Sequence, residues 1–352
     1  MSRALFLDLA ARRHRVPIAA DLVLHQHAAP ARIVVNGDLL SGIVAEAAAA
    51  FRTPLAFPLM DLRLEKLELL RFFGLPADEA EKFHFSTAPS LPQRRAYARS
   101  LRRTAPGPAV ASAIRSVYCT RARTKLFPIA MCIGPYSLAS KLMADPITPT
   151  YLAGSGVTAT EEPDVALLEA CLELGLTCIL HEVELALAAG AEAVFVAEPA
   201  ANQVYFSPLQ LAAGSDIFDR CVLAPNRRIA DLVADRRAEL IFHCCGELTD
   251  QMVAGFGTLR PAMLSLGSSR SLAHDASLVP ADTVLYGNIA SKLFYSDPLM
   301  PLARVAGDTA RLAAAMAVAG HPFILGTECD TLHVPEYAET IRRKVDRLLT
   351  AA

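Results

Sequence analysis

The stretch Phe242-His243-Cys244-Cys245-Gly246 follows Arg236-Arg237-Ala238-Glu239-Leu240-Ile241, so a charged helix end runs into an apolar strand. Side chains two apart on a strand share a face. His243 and Cys245 are therefore predicted to point one way and Cys244 the other. An imidazole and a thiolate side by side at a strand end are two of the three protein ligands of a catalytic zinc site. The third has to come from elsewhere in the chain. Cys329 is the best candidate, because Phe323-Ile324-Leu325-Gly326-Thr327-Glu328-Cys329 is a second apolar strand ending in polar residues. The alternative for each thiol is a small buried hydrophobe.

Outward from this stretch, short apolar runs alternate with helical patterns. The strand candidates are 16–20, 53–57, 127–133, 193–197, 239–245, 262–266, 283–288 and 323–327. Helices are expected at 1–13, 41–50, 62–70, 108–118, 164–190, 227–236, 247–255, 298–320 and 335–349, with a further one starting at Ser207-Pro208. Asp61 is expected to cap the helix that Gly74-Leu75-Pro76 closes. Residues 77–106 are polar, rich in Arg and Pro, and read as irregular.

Strands alternating with helices of ten or more residues mark a parallel α/β fold. His243, Cys245, Glu198, Asn288 and Cys329 all fall at predicted C-terminal strand ends. In a closed (β/α)8 barrel of the TIM type those ends converge on one mouth. The expected architecture is a single-domain barrel over residues 1–352, with an N-terminal extension and an excursion around 77–120. A dinucleotide-binding sheet is disfavoured, since no G-x-G-x-x-G follows an early strand.

The composition agrees with a compact enzyme: 53% hydrophobic and 20% charged residues over 352 positions. A net charge of −2 gives no reason to expect nucleic acid or a membrane surface as partner. No apolar run is long enough for a membrane span. The eight Cys are scattered without a disulfide rhythm, so reduced thiols in a cytoplasmic protein are expected. His25 and His27 sit in an unassigned loop with no Cys or carboxylate cluster beside them, and no metal role is expected there.

The chain resembles the uroporphyrinogen decarboxylase superfamily, and within it the zinc-dependent methylcobamide:thiol methyltransferases of the coenzyme M type. The resemblance rests on Phe57-Pro58-Leu59-Met60-Asp61-Leu62 with Glu65, Ile133-Gly134-Pro135-Tyr136-Ser137-Leu138-Ala139, Glu198-Pro199 with Ser207-Pro208, His243-Cys244-Cys245-Gly246, Tyr286-Gly287-Asn288-Ile289 and Gly326-Thr327-Glu328-Cys329-Asp330. It spans roughly residues 15 to 345. In the methyltransferase branch a His-x-Cys and a distant Cys bind zinc, and His243, Cys245 and Cys329 fill those positions. The decarboxylase branch carries an R-Q-A-G-R segment that grips porphyrin carboxylates. Here the corresponding region, Asp21 to Arg32, has Arg32 as its one cation. The chain also departs from the favoured branch, because residues 262–269 carry no carboxylate.

The resemblance implies Zn2+ as cofactor, methylcobamide as methyl donor (free or on a separate corrinoid protein) and a small methyl acceptor, a thiol or tetrahydrofolate. Glu198, Asn288 and Tyr136 are the candidate catalytic residues; their alternative readings are a surface carboxylate, a strand-end turn and a core aromatic. Glu198 and Glu328 are also candidates for a fourth ligand or a partner behind the ligands. The rivals are a metal-free decarboxylase and a non-catalytic corrinoid-handling partner. No Asp-x-His-x-x-Gly motif occurs, so no tightly held cobamide domain is expected.

Overall fold

The structure, a computed structural model, describes residues 2–351. Eight parallel strands follow one another around a curled sheet: β1 (Arg15–Val16), β2 (Leu55–Ala56), β3 (Phe127–Ile133), β4 (Ala193–Ala197), β5 (Glu239–Cys244), β6 (Met263–Leu266), β7 (Val284–Ile289) and β8 (Phe323–Thr327). The order is β1-β8-β7-β6-β5-β4-β3-β2, with helices in the connections. This is the expected (β/α)8 barrel. β1 and β2 are the two ends of the ladder, so each has one hydrogen-bonded neighbour. They are accordingly two residues long rather than the five predicted, and Leu55, Phe57, Phe51 and Ala19 line the seam between them.

Alternation along the strands separates two cores. Phe195, Ala197, Ile241, Met263, Val284, Tyr286 and Ile324 point inward, where Phe57 and Phe127 meet them. Cys132, Val194, Val196, Phe242, Cys244, Leu264 and Leu285 point outward into the larger cluster under the helices. The helix Ser2–Ala11 closes the N-terminal end of the barrel, with Phe6 edge-on to Phe127 at 5.5 Å and the Arg3 backbone N–H donating to Glu239. Tyr286 fills the interior and donates its hydroxyl to the Val16 carbonyl at 2.7 Å. Its ring occupies the place of a side chain at position 326, which is why glycine stands there.

The excursion at 77–120 is largely helical, which corrects the irregular reading of 77–106. It holds the helices Ala77–Ala80, Leu91–Leu101 and most of Pro108–Arg123. A Ser90–Gln93 capping box starts the second of these, and Tyr97 is its one buried residue. A helix so widely exposed carries no apolar period for sequence inspection to find. Asp61 does not cap its helix either. It accepts from the Arg63 N–H and pairs with the Arg63 guanidinium, and the helix begins at Leu64. His25 also lies just after a short helix, Ala20–Leu24, and stacks on His333 at 4.5 Å. No helix among the described residues is long and apolar enough to cross a membrane.

Candidate metal centre

On β5 the inward positions are Ile241 and His243, and the chain carries the same direction to Cys245. Register places His243 beside Ala197 of β4 and Ser265 of β6. The small Ala197 leaves space, and Phe195 packs its ring against the imidazole at 5.5 Å. Ser265 shares the inward face, and its hydroxyl lies 2.8 Å from His243 Nδ1. That bond accounts for one ring nitrogen. The other, Nε2, is buried with no partner among the protein's own groups.

Cys329 reaches the same place from the end of β8. The Glu328 N–H donates to the Ile289 carbonyl at 2.8 Å, which continues the β7–β8 ladder one step beyond the strand. The Glu328 carboxylate then accepts from the Ser268 and Lys292 N–H groups at 3.1 and 3.3 Å. It thereby ties together the loops after β6, β7 and β8. The Cys329 carbonyl is held by the Ser291 hydroxyl at 3.3 Å. Gly267 allows the β6 loop to pass directly over the backbone of Cys245, where a Cβ would come within 2.6 Å of its carbonyl oxygen.

The ligand atoms of His243, Cys245 and Cys329 lie within 4.8 Å of one another. His243 is buried and the two thiols are half-buried, toward the C-terminal mouth. The Cys329 thiol, as hydrogen-bond partner, is the main cause that holds the Cys245 thiol down at about 3, against burial; His243 and Lys292 add to it. The same bond, followed by burial, raises Cys329. Of the two sulfurs, Cys245 is the one favoured to carry negative charge. Burial works against the charge on Lys292, yet Cys245, Glu328 and Cys329 together raise it. One imidazole nitrogen and two sulfurs, with His243 Nε2 lacking a partner, are donors suited to a soft or borderline divalent ion. Deprotonated thiolates and a neutral imidazole are the forms that bind metal.

The remaining candidates lie apart from these three. Glu198, at the end of β4, is fully buried and accepts from the N–H groups of Tyr136 and Ser137 at 3.3 and 2.6 Å and from Asn226 Nδ2 at 2.9 Å. Burial outweighs these bonds and raises its pKa. It caps the start of the helix Pro135–Lys141. Tyr136 is buried, with its hydroxyl 2.8 Å from Thr150 Oγ1 and its ring against Tyr205 and Phe206. Asn288 belongs to β7 itself and donates to the carbonyls of Gly267 and Arg270 at 2.8 and 2.9 Å. A second group of potential ligands, Asp250, His274 and Asp275, is already committed to Arg270 and to an internal His274–Asp250 pair.

Sequence reasoning missed Ser265 and Lys292. Ser265 did carry a signal, as the one polar residue in Ala262-Met263-Leu264-Ser265-Leu266. Lys292 carried none, because a lone cation four residues past Asn288 resembles any surface lysine.

The match to the uroporphyrinogen decarboxylase (URO-D) family model covers residues 85–346. That span runs from the excursion to the last helix and includes every residue of the cluster. A solved methyltransferase from Methanosarcina mazei has a similar fold, with a TM-score of 0.64 at 14% identity over 95% of this chain and 93% of that one. No curated protein matches. A barrel of this topology, matched over most of its length, places the chain in the uroporphyrinogen decarboxylase (URO-D) family.

Proposed function

We propose that the chain is a zinc-dependent methyltransferase that moves a methyl group from methylcobamide, free or on a separate corrinoid protein, to a small thiol. The observation that carries this reading is the convergence of His243, Cys245 and Cys329 at the barrel mouth with His243 Nε2 left free. The similarity of fold to the Methanosarcina mazei methyltransferase supports it.

With three protein ligands, His243, Cys245 and Cys329 would leave a bound ion open to substrate. When bound, zinc would hold an incoming thiol as its thiolate, the form that attacks a methyl carbon. Ser265 holds His243 through Nδ1, which would leave Nε2 as the nitrogen available to an ion. Cys245 and Cys329, as thiolates, would balance the charge of a divalent ion held here. Lys292, against Cys245, offsets the negative charge that a third sulfur brings. Glu328 holds the loops that carry Cys329 and Lys292. Asn288 shapes the rim, and Glu198 and Tyr136 brace the helix at the end of β3 from behind.

A decarboxylase acting on a polycarboxylate needs several cations facing its substrate. Of the cations near this mouth, Arg270 is occupied by Asp250 and Asp275, which leaves Lys292 beside the sulfurs. The test is spectroscopic turnover of methylcobalamin by the purified, metal-analysed protein with a panel of thiols and with tetrahydrofolate. Demethylation that needs both a thiol and zinc is expected. Turnover with tetrahydrofolate alone would reassign the acceptor. Zinc without turnover would favour the corrinoid-handling partner, and activity without metal would end the proposal.

A further inference from the structure

Behind β2 and β3, on the side of the sheet away from the barrel interior, lies a cavity of about 120 Å³ between the strands and the helices Gly37–Ala50, Pro108–Arg123 and Pro163–Ala188. Its wall is mostly apolar and built from small side chains, among them Val44, Ala113, Val117 and Ala130. Two carboxylates, Glu65 and Glu182, interrupt that wall. None of the residues of the metal cluster lines it.

The two acids are poorly satisfied. Glu65 is 2% exposed. Its Oε1 accepts from the Ile133 N–H at 2.8 Å, and its Oε2 has no partner among the protein's own groups. Glu182 receives the Cys178 thiol at 3.4 Å. Neither is in an ion pair among the described residues. Glu198, by contrast, has three donors, and Lys344 has the Phe294 carbonyl and Asp297. Burial pushes Glu65 up to about 7 and Glu182 well above its ordinary value, and the charge on Glu65 raises Glu182 further. Lys141 acts on Glu65 only from beyond ion-pair distance, and two acids with no ion pair of their own are costly in an apolar wall. An ammonium ion between them offsets the desolvation and the mutual repulsion through charge-assisted hydrogen bonds.

We propose that this cavity is a second binding site, for a small amine with an apolar body, whose ammonium group is recognised by Glu65 and Glu182. The size sets the body: at about 120 Å³ the cavity is somewhat smaller than the one of about 150 Å³ that accepts a benzene ring, so a short alkyl chain or at most one ring is the upper limit. The chemistry sets the head. Three N–H donors on one cation match the unpartnered Oε2 of Glu65 and the free acceptor positions of Glu182. Small-molecule sites combine an apolar wall with a few convergent polar groups in this way. The proposal does not rest on the zinc reading.

Calorimetric titration of the full-length protein with benzylamine, and with benzyl alcohol as the neutral molecule of the same shape, tests it. Benzylamine is expected to bind saturably and about tenfold or more tighter than benzyl alcohol. Glu65→Gln should weaken it by a similar factor, and Ala113→Leu, which fills the cavity and spares both acids, should abolish it. If Ala113→Leu does not fold, the methyl NMR signals of Val44 and Val117 in the unmodified protein must move on adding benzylamine. Equal affinity for the alcohol, no saturable binding, or binding that leaves those methyl signals unmoved would each overturn the proposal.

Discussion

His243 Nδ1 and Ser265 Oγ stand 2.8 Å apart on neighbouring strands in direct register, so the imidazole is oriented by β6 and not by its own strand. A hydroxyl in this place does the work that a carboxylate or backbone carbonyl does behind many metal-bound histidines.

Ser265→Ala removes that support and keeps the shape of the strand. Metal affinity is expected to fall roughly 10- to 100-fold, read by competition with a chromophoric chelator. An affinity that does not change would show that the barrel wall alone orients the ring.

Cys329→Ala and Cys244→Ala separate ligand from bystander. Cys244 points outward, buried, with its thiol 3.5 Å from the Ala201 carbonyl. Its loss should leave metal content intact and cost roughly 1–2 kcal/mol of packing at most. Cys329→Ala should lose the metal. Equal metal in both variants would take Cys329 out of the site.

Glu198→Ala leaves the buried N–H groups of Tyr136 and Ser137 without an acceptor and removes one of the two acceptors of Asn226 Nδ2, which keeps the Val222 carbonyl. Each orphaned donor costs about 1–3 kcal/mol, so urea unfolding should show a loss of about 3 kcal/mol or more. Gly134→Ala should act in the same direction, since its Cβ would fall on the Glu198 carboxyl. A loss under about 1 kcal/mol for Glu198→Ala would mean that the helix start finds other acceptors.

Glu65 gives a pH signature. Burial, its main perturbation, raises it from 4.5 to about 7 in the folded chain. A raised acid favours the protonated folded state. Its stabilisation is therefore fully present below about 4.5 and is lost as pH rises through about 7. Relative to Glu65→Gln, the unmodified protein should lose on the order of 3 kcal/mol across that window, measured by urea unfolding at a series of pH values. A difference that stays flat with pH would show that Glu65 titrates normally.

Much of the architecture was legible because the inner strands are apolar and bounded by helices. β3, β4 and β8 have the limits expected for them, at 127–133, 193–197 and 323–327. The helix around Tyr97 was not legible, because one buried residue makes no period. In the site, the shared direction of His243 and Cys245 could be read directly. Lys292 and the bracing by Glu328 could not, since their partners lie on other loops.

The chain's own order determines that side chains alternate along each strand, that helices follow strands, and that an imidazole and a thiol two residues apart face the same side. These are consequences of local covalent geometry. Only the tertiary structure decides that Cys329 meets them, that Ser265 stands beside His243, and that Glu65 and Glu182 share an apolar wall. Those meetings depend on strand register and loop packing between remote segments, which hydrogen bonding across the curled sheet sets and no single stretch contains.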